Sequence, residues 1–240
     1  MTVLCIETST SVCSAAICKD GELIKQCICR EGSNHARLLP SYIEELLSLA
    51  REQRLVIEAV ALSEGPGSYT GLRIGTSTAK GLCYGLNVPL IPVPTLEVLC
   101  DAAREKMETK KDTDRLCPMI DARRMEVYTK LEVRDEGLEE RGRAIVVENE
   151  ESVIEGVRGL EVKGLESEDV YYFGDGAAKC QKIFTKPNWH YIPDIVPEAR
   201  FVGRIAERLA ISDERVDLAY YEPYYLKEFV AAQSHVKGLR

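Results

Sequence analysis

The chain has no surplus of positive charge, no disulfide spacing, no membrane-length apolar run and no standard nucleotide fingerprint. Lys and Arg number 31 against 39 Asp and Glu, a formal charge of -8. A protein that grips RNA by its phosphates needs a basic face, because most of the affinity comes from cations displacing counterions. RNA contact is therefore expected mainly through a partner, with at most a local basic patch here. Lys227, Lys237 and Arg240 around His235 form either such a patch or a plain solvated tail. No apolar stretch approaches a bilayer span, and the first residues alternate like a strand instead of showing a basic then an apolar region. A cytoplasmic protein with no membrane partner is expected. The nine cysteines include no CxxC and read as reduced core hydrophobes. Cys27 and Cys29 would share a strand face, a spacing that gives zinc little support. The three histidines, His35, His190 and His235, lie far apart and fit no zinc pattern. There is no GxSxG around Ser63, Ser68 or Ser77 and no HExxH, so neither serine nor zinc peptidase chemistry is supported.

Ser63 to Gly75 instead reads SEGPGSYTGLRIG, a glycine-rich turn between an apolar run and a small-residue helix. Ala59 to Leu62 reads as a strand, Gly65 to Gly71 as a loop, and Gly71 to Leu86 as a helix with no internal proline. Such a unit aims backbone N–H groups and the positive end of a helix at one spot, which suits an anion or a close-packed partner. Neither GxxxxGK[ST] nor GxGxxG is present, so a tight structural turn stands equally open.

Around this unit the pattern is mixed α/β. Strands are predicted at Val3–Ile6, Val12–Cys18 and Glu22–Cys29, then a helix at Ala36–Arg51, the 59–62 strand and the 71–86 helix. A strand over Asn87–Val93, cut off by Pro92 and Pro94, precedes a helix over Leu96–Met107. The charged stretch Arg104–Arg115 marks a boundary between lobes at 1–108 and 109–240. Beyond it come strands at Leu116–Asp121, Glu126–Val133 and Ala144–Val147, a helix at Glu148–Gly156, a loop over Val157–Asp169, a strand at Val170–Gly174 and a helix at Ala199–Ala210. The last helix is expected to pack back on the first lobe. No sequence repeat is visible, but Ile6-Glu7-Thr8 and Ile120-Asp121-Ala122 are candidate equivalents at the ends of matching strands.

Several segments, in order, carry a family resemblance. They are Leu4-Cys5-Ile6-Glu7-Thr8-Ser9-Thr10, His35-Ala36-Arg37-Leu38-Leu39-Pro40, the glycine-rich run, Pro89 to Leu96, Ile120-Asp121-Ala122-Arg123-Arg124-Met125-Glu126-Val127-Tyr128, Phe173 to Lys179, and Glu222-Pro223-Tyr224-Tyr225-Leu226-Lys227. Together they span nearly the whole chain, and it resembles the bacterial TsaB family of tRNA threonylcarbamoyladenosine biosynthesis proteins. The resemblance implies a two-lobed actin/Hsp70-like ATPase (ASKHA) fold, each lobe a mixed sheet flanked by helices. It also implies a noncatalytic dimerisation subunit that pairs with a catalytic paralogue, TsaD, binds an ATPase, TsaE, forms a homodimer when alone and meets tRNA indirectly. The alternatives are an ATP-dependent enzyme of the same fold and, with less support, a peptidase.

Two departures from working ATPases of that superfamily bear on nucleotide. Their hairpin aspartate is Glu7 here. One extra methylene shifts the carboxylate by roughly 1.5 Å, and misplacement on the order of 1 Å costs about a hundredfold where geometry is the mechanism. Gly174-Asp175-Gly176 places an acid where a second glycine would let adenine approach, and Asp175 reads more simply as a turn residue capping a helix near Ala177. The positions for nucleotide or loop contacts are then Glu7, Thr8, Gly67, Ser68, Tyr69, Thr70, Gly71, Arg73, Gly174, Asp175 and Gly176. No cofactor is expected in the isolated chain, and ATP or ADP only within the complex. By resemblance, the paralogue's metal-binding HxxxH falls on Thr95 and Leu99, neither a ligand, so no metal is expected. No catalytic residue is assigned. His35, at a helix start that Ser33 or Asn34 would cap, reads as structural or interfacial.

The partner face is read from two helices. On a wheel of about 100° per residue, Leu38, Tyr42, Leu46 and Leu49 share one arc and Leu39, Ile43, Leu47 and Ala50 the next, roughly 180° in all. That is wider than one core needs. Half of it faces a partner, or both helices are buried in one domain. Gly71, Gly75, Thr78 and Ala79 line one side of the second helix, with Gly81 and Gly85 further round. By resemblance the interface is assigned to Leu38, Leu39, Tyr42, Ile43, Leu46, Gly71, Gly75, Thr78 and Ala79.

Overall fold

A computed structural model describes residues 1–32, 34–107, 114–132, 142–158, 168–210 and 216–227. The elements are β1 (Thr2–Glu7), β2 (Cys13–Lys19), β3 (Glu22–Cys29), α1 (His35–Glu52), β4 (Ala59–Gly65), α2 (Tyr69–Leu86), β5 (Leu90–Pro94), α3 (Thr95–Lys106), β6 (Arg115–Asp121), β7 (Glu126–Thr129), β8 (Arg143–Val146), α4 (Glu150–Arg158), β9 (Val170–Phe173), β10 (Trp189–Ile192) and α5 (Ala199–Leu209). Ser33, residues 108–113 of the charged boundary, Val133, 159–167 of the mixed loop, and the tail with His235, Lys237 and Arg240 lie outside the described residues.

The first sheet has the order β3-β2-β1-β4-β5. β1, β2 and β3 pair antiparallel, while β4 and β5 run parallel to β1. Central β1 is buried along its whole length, as a strand covered on both faces must be. Its alternation divides the core. Leu4 and Ile6 join Ala15, Ile17, Leu39, Ile43, Leu46, Ala79 and Cys83 under α1 and α2. Val3 and Cys5 join Ala16, Cys18, Leu99 and Val202 under α3 and α5. Pro92 and Pro94 do not cut β5 short. It is the edge strand and pairs only with β4, so missing N–H groups on its outer side break no ladder.

The second sheet repeats this plan, with the order β10-β9-β6-β7-β8. β6, β7 and β8 pair antiparallel, and β9 and β10 run parallel to β6. Three hairpin strands, a helix, a parallel strand, a crossover, a parallel strand and a helix thus occur twice. The second copy is reduced, because the place of α2 is taken by a single 3-10 turn, Ala178–Cys180. That turn is the helix expected near Ala177. The duplication aligns the ends of β1 and β6, so Glu7 corresponds to Asp121.

Each copy's last helix reaches the other copy's sheet. α5 lies across β1 and β2 of the first lobe, and α3 packs on β6 of the second as well as on β4 and β5. Nine consecutive α3 residues, Thr95 to Ala103, are consequently buried. Its charged members need partners in that position. Lys130 of the second lobe pairs with Glu97 and lies 3.3 Å from Glu132. Arg104 pairs with Glu132, and Arg204 of α5 reaches Asp101 at 3.1 Å.

Candidate functional site

The C-terminal ends of β1 and β4 lie side by side in the first sheet, and the end of β6 is braced by Asp175, whose charge reaches Glu7. Glu7 closes β1 there with no exposed surface. Its Oε1 accepts from the Ser9 amide at 2.6 Å and the Ser9 hydroxyl at 2.5 Å, and its Oε2 accepts from the Ser63 hydroxyl. Burial pushes this carboxyl above its ordinary value, the Ser63 and Ser9 bonds oppose the push, and nearby Asp175 adds to it. Both carboxylate oxygens are thus taken up by the chain's own donors. Ser63, also fully buried, serves as a donor to Glu7.

The glycines of the loop serve close packing against the β1–β2 turn. A Cβ at Gly67 would fall within 3.0 Å of the Ser9 carbonyl oxygen, one at Gly71 within 3.0 Å of the Thr8 carbonyl oxygen, and one at Gly75 within 3.0 Å of Thr8 Oγ1. The Ser68 amide donates to the Ser9 carbonyl at 2.6 Å, and Thr8 Oγ1 donates to the Gly71 carbonyl at 2.9 Å. Ser68 Oγ accepts from the Gly71 amide at 3.4 Å as the N-cap of α2. Where an ATPase would cradle phosphate, this loop lies against its own hairpin. Ser68, Thr70 and Arg73 remain exposed, while Gly67 and Tyr69 are half-buried.

Residues 216–227 cross the same region as a strap. Lys80 of α2 donates to the Ala219 and Tyr221 carbonyls at 3.0 and 3.2 Å. The Tyr224 amide donates to the Glu64 carbonyl at 2.8 Å. Gly65, at φ +121°, sits where a Cβ would meet the Tyr224 carbonyl. The Tyr225 ring lies 5.0 Å from that of Tyr69, whose hydroxyl accepts from Arg73 Nη1 at 3.2 Å. Lys227 then pairs with Glu126 of the second lobe.

The second lobe's loop packs as the first does. Gly174, at φ +103°, and Gly176 lie against the Met119 and Ile120 backbone, with no room for a side chain. Asp175 is exposed and accepts from the Asp121 amide at 3.0 Å, and desolvation by the surrounding protein, with the nearby Asp121 charge, raises its carboxyl above the ordinary value. It therefore braces the end of β6, and the described Ala177 position has no side-chain cap. Asp121 pairs with Lys179, whose Nζ also donates to the Glu126 carbonyl at 2.8 Å.

Of the nine residues assigned to the partner face, Leu39, Ile43, Leu46, Gly71, Gly75 and Ala79 are buried within the first lobe, and Leu38, Tyr42 and Thr78 are half-buried. The small residues at 71, 75 and 79 face inward because α2 must approach Thr8 and the sheet closely. The outward face of α2 carries Arg73, Ser77, Gly81, Tyr84 and Gly85, with Tyr84 86% exposed and open space beside both glycines. Thr95 is fully buried and its Oγ1 accepts from the Gly65 amide at 3.1 Å, while Leu99 is core. Among the described residues no group of three His, Cys, Asp or Glu is placed to hold a metal. His35 is buried with Nε2 3.1 Å from the Val12 carbonyl, and Asn34 makes no side-chain cap to α1. Sequence reasoning had not assigned Ser9, Ser63 or the strap to the site, although the last was visible as the Glu222 to Lys227 motif. No described helix is long and apolar enough to cross a membrane.

Two mixed sheets of one plan, each flanked by helices and bridged by α3 and α5, define a two-lobed actin-like ATPase fold. Solved structures agree on the architecture. YeaZ from Pseudomonas aeruginosa is 26% identical with a TM-score of 0.71, covering 94% of this chain and 99% of its own. A Pseudomonas aeruginosa protein described as similar to peptidase YeaZ gives 24% and 0.76 over the same shares. The family model for TsaD, tRNA N6-adenosine threonylcarbamoyltransferase, matches residues 31–234. The tRNA threonylcarbamoyladenosine biosynthesis protein TsaB of Haemophilus influenzae is 28% identical over 232 residues, 96% of this chain and 95% of that protein. Its Escherichia coli namesake is 35% identical over 136 residues, 57% of each chain. The chain belongs to the tRNA N6-adenosine threonylcarbamoyltransferase family and, within it, to the TsaB proteins.

Proposed function

We propose that this chain is the noncatalytic pairing subunit for synthesis of N6-threonylcarbamoyladenosine beside the tRNA anticodon, acting in the cytoplasm. The catalytic paralogue TsaD transfers the threonylcarbamoyl group, the ATPase TsaE binds the pair, and the chain forms a homodimer when alone. Nucleotide, where present, binds only within the complex. One observation carries the reading. Glu7, the glycine loop and Gly65 are engaged by Ser9, Ser63, Thr8 and Tyr224 of the same chain. An enzyme needs such groups aimed at substrate, whereas here they tie the first lobe's loop, hairpin and strap together.

The pairing surface is then the outward flank of α1 and α2, where Leu38, Tyr42 and Thr78 are half-exposed and Gly81, Tyr84 and Gly85 stand open. Gly81→Glu tests it, since a side chain there meets no neighbour within the chain. The variant should keep the wild-type circular dichroism spectrum and a cooperative melt yet lose self-association in ultracentrifugation and co-purification with the paralogue. Retained pairing would place the interface elsewhere, and failure of the wild-type chain to pair would refute the reading.

A further inference from the structure

The turn between β6 and β7 is built against its own conformational preference. Arg123 and Arg124 have φ of +72° and +50°, consecutive residues in the left-handed region that glycine and asparagine enter at low cost. Arginine at both positions sacrifices stability, and strain of this kind gathers where a side chain has a task. The turn is also braced from beneath. The Arg123 amide donates to Asp121 Oδ1 at 3.0 Å, and the Ala122 amide donates to the Glu126 carbonyl at 3.0 Å. Asp121 pairs with Lys179, Glu126 pairs with Lys227, and Asp175 accepts from the Asp121 amide. Asp121, Asp175 and Glu126 are therefore turned onto other groups, and both arginine side chains stand exposed at the turn.

We propose that the Arg123–Arg124 turn is this chain's contact with the phosphodiester backbone of RNA, an inference that rests on the function proposed above. The charges are complementary, and neighbouring guanidinium groups on an exposed, braced turn suit successive phosphates of a strand passing over it. In a chain of charge -8 such a contact is local and adds to the affinity of a partner instead of replacing it.

The test uses the full chain reconstituted with its catalytic paralogue, with an unmodified tRNA transcript as probe and its affinity followed by anisotropy across a salt series. Arg123→Asn/Arg124→Gly relieves the left-handed strain and removes both charges. It should melt higher than wild type and pair normally. Affinity for tRNA should fall at least about tenfold, with a salt slope shallower by about 1.5. Arg123→Lys/Arg124→Lys should restore most of the slope. Unchanged affinity in the Asn/Gly variant overturns the inference, as does a loss of ATP binding with tRNA binding intact. Failure of the underlying reading looks different: the wild-type chain would neither pair with the paralogue nor support tRNA modification.

Discussion

Gly71 and Gly81 sit ten positions apart on α2 and should respond to alanine with opposite sign. At Gly81 a Cβ meets nothing within 4 Å, so Gly81→Ala gains only helix propensity, about 0.9 kcal/mol. At Gly71 the same methyl falls within 3.0 Å of a backbone oxygen, that of Thr8, where ordinary contact begins at 3.4 Å. The helix end and the β1–β2 turn must part. Overpacking of this kind costs about 1–3 kcal/mol, and loss of the bond from Thr8 Oγ1 to the Gly71 carbonyl adds about 1 kcal/mol. After the propensity gain, Gly71→Ala should be destabilised by about 2 kcal/mol. For a chain of this size 1 kcal/mol moves the melting temperature by about 2–4 °C. The two variants should therefore melt about 6–12 °C apart on either side of wild type in calorimetry or circular dichroism. Equal melting temperatures, or Gly71→Ala melting above wild type, would refute the assignment of the loop glycines to internal packing.

Other expectations follow from the buried charges. Burial raises the Glu7 carboxyl, so between its unfolded and folded values the folded chain holds a proton that the unfolded chain releases. Its stabilisation is full below the ordinary carboxylate range of about pH 4 and is lost as pH rises through the folded value. Glu7→Gln should flatten that decline and melt higher than wild type at pH 7, and an unaltered pH profile would contradict the cause assigned to Glu7. Lys130→Met leaves Glu97 buried beside Glu132 without its ammonium partner, which should cost about 3–5 kcal/mol in urea unfolding, and a loss under 1 kcal/mol would show the charge network to be dispensable. ATP should bind the isolated chain no tighter than the high micromolar range, about -5 kcal/mol, and submicromolar affinity in calorimetry would favour the ATP-using enzyme.

The hairpin strands, the strand-turn-helix unit and the alternation of helix and strand were legible, because apolar runs and glycine punctuation are local. β10 was missed, since Trp189-His190-Tyr191-Ile192 is four residues long and its pairing with β9 lies nineteen residues away in sequence. The burial of α3 was not legible either. A helix carrying Glu97, Asp101 and Arg104 reads as half-solvated until Lys130, Glu132 and Arg204 arrive from other elements. On α2 the small residues were visible but not the side they face. Gly71 and Gly75 point at Thr8, and a wheel drawn from one helix contains no Thr8. Glu7 was recognised as a departure from the ATPase pattern, while its capture by Ser9 and Ser63 required the ends of β1 and β4 to be brought together.

The measurement that bears most directly on the central claim is the rate of threonylcarbamoyl transfer to tRNA in a mixture of this chain, its catalytic paralogue and the ATPase, with Glu7→Gln and Gly81→Glu compared side by side. A pairing subunit whose loop and hairpin groups serve its own fold should support the wild-type rate with Glu7→Gln, and should lose transfer together with co-purification in a folded Gly81→Glu. A Glu7→Gln chain that still pairs but no longer supports transfer would contradict it.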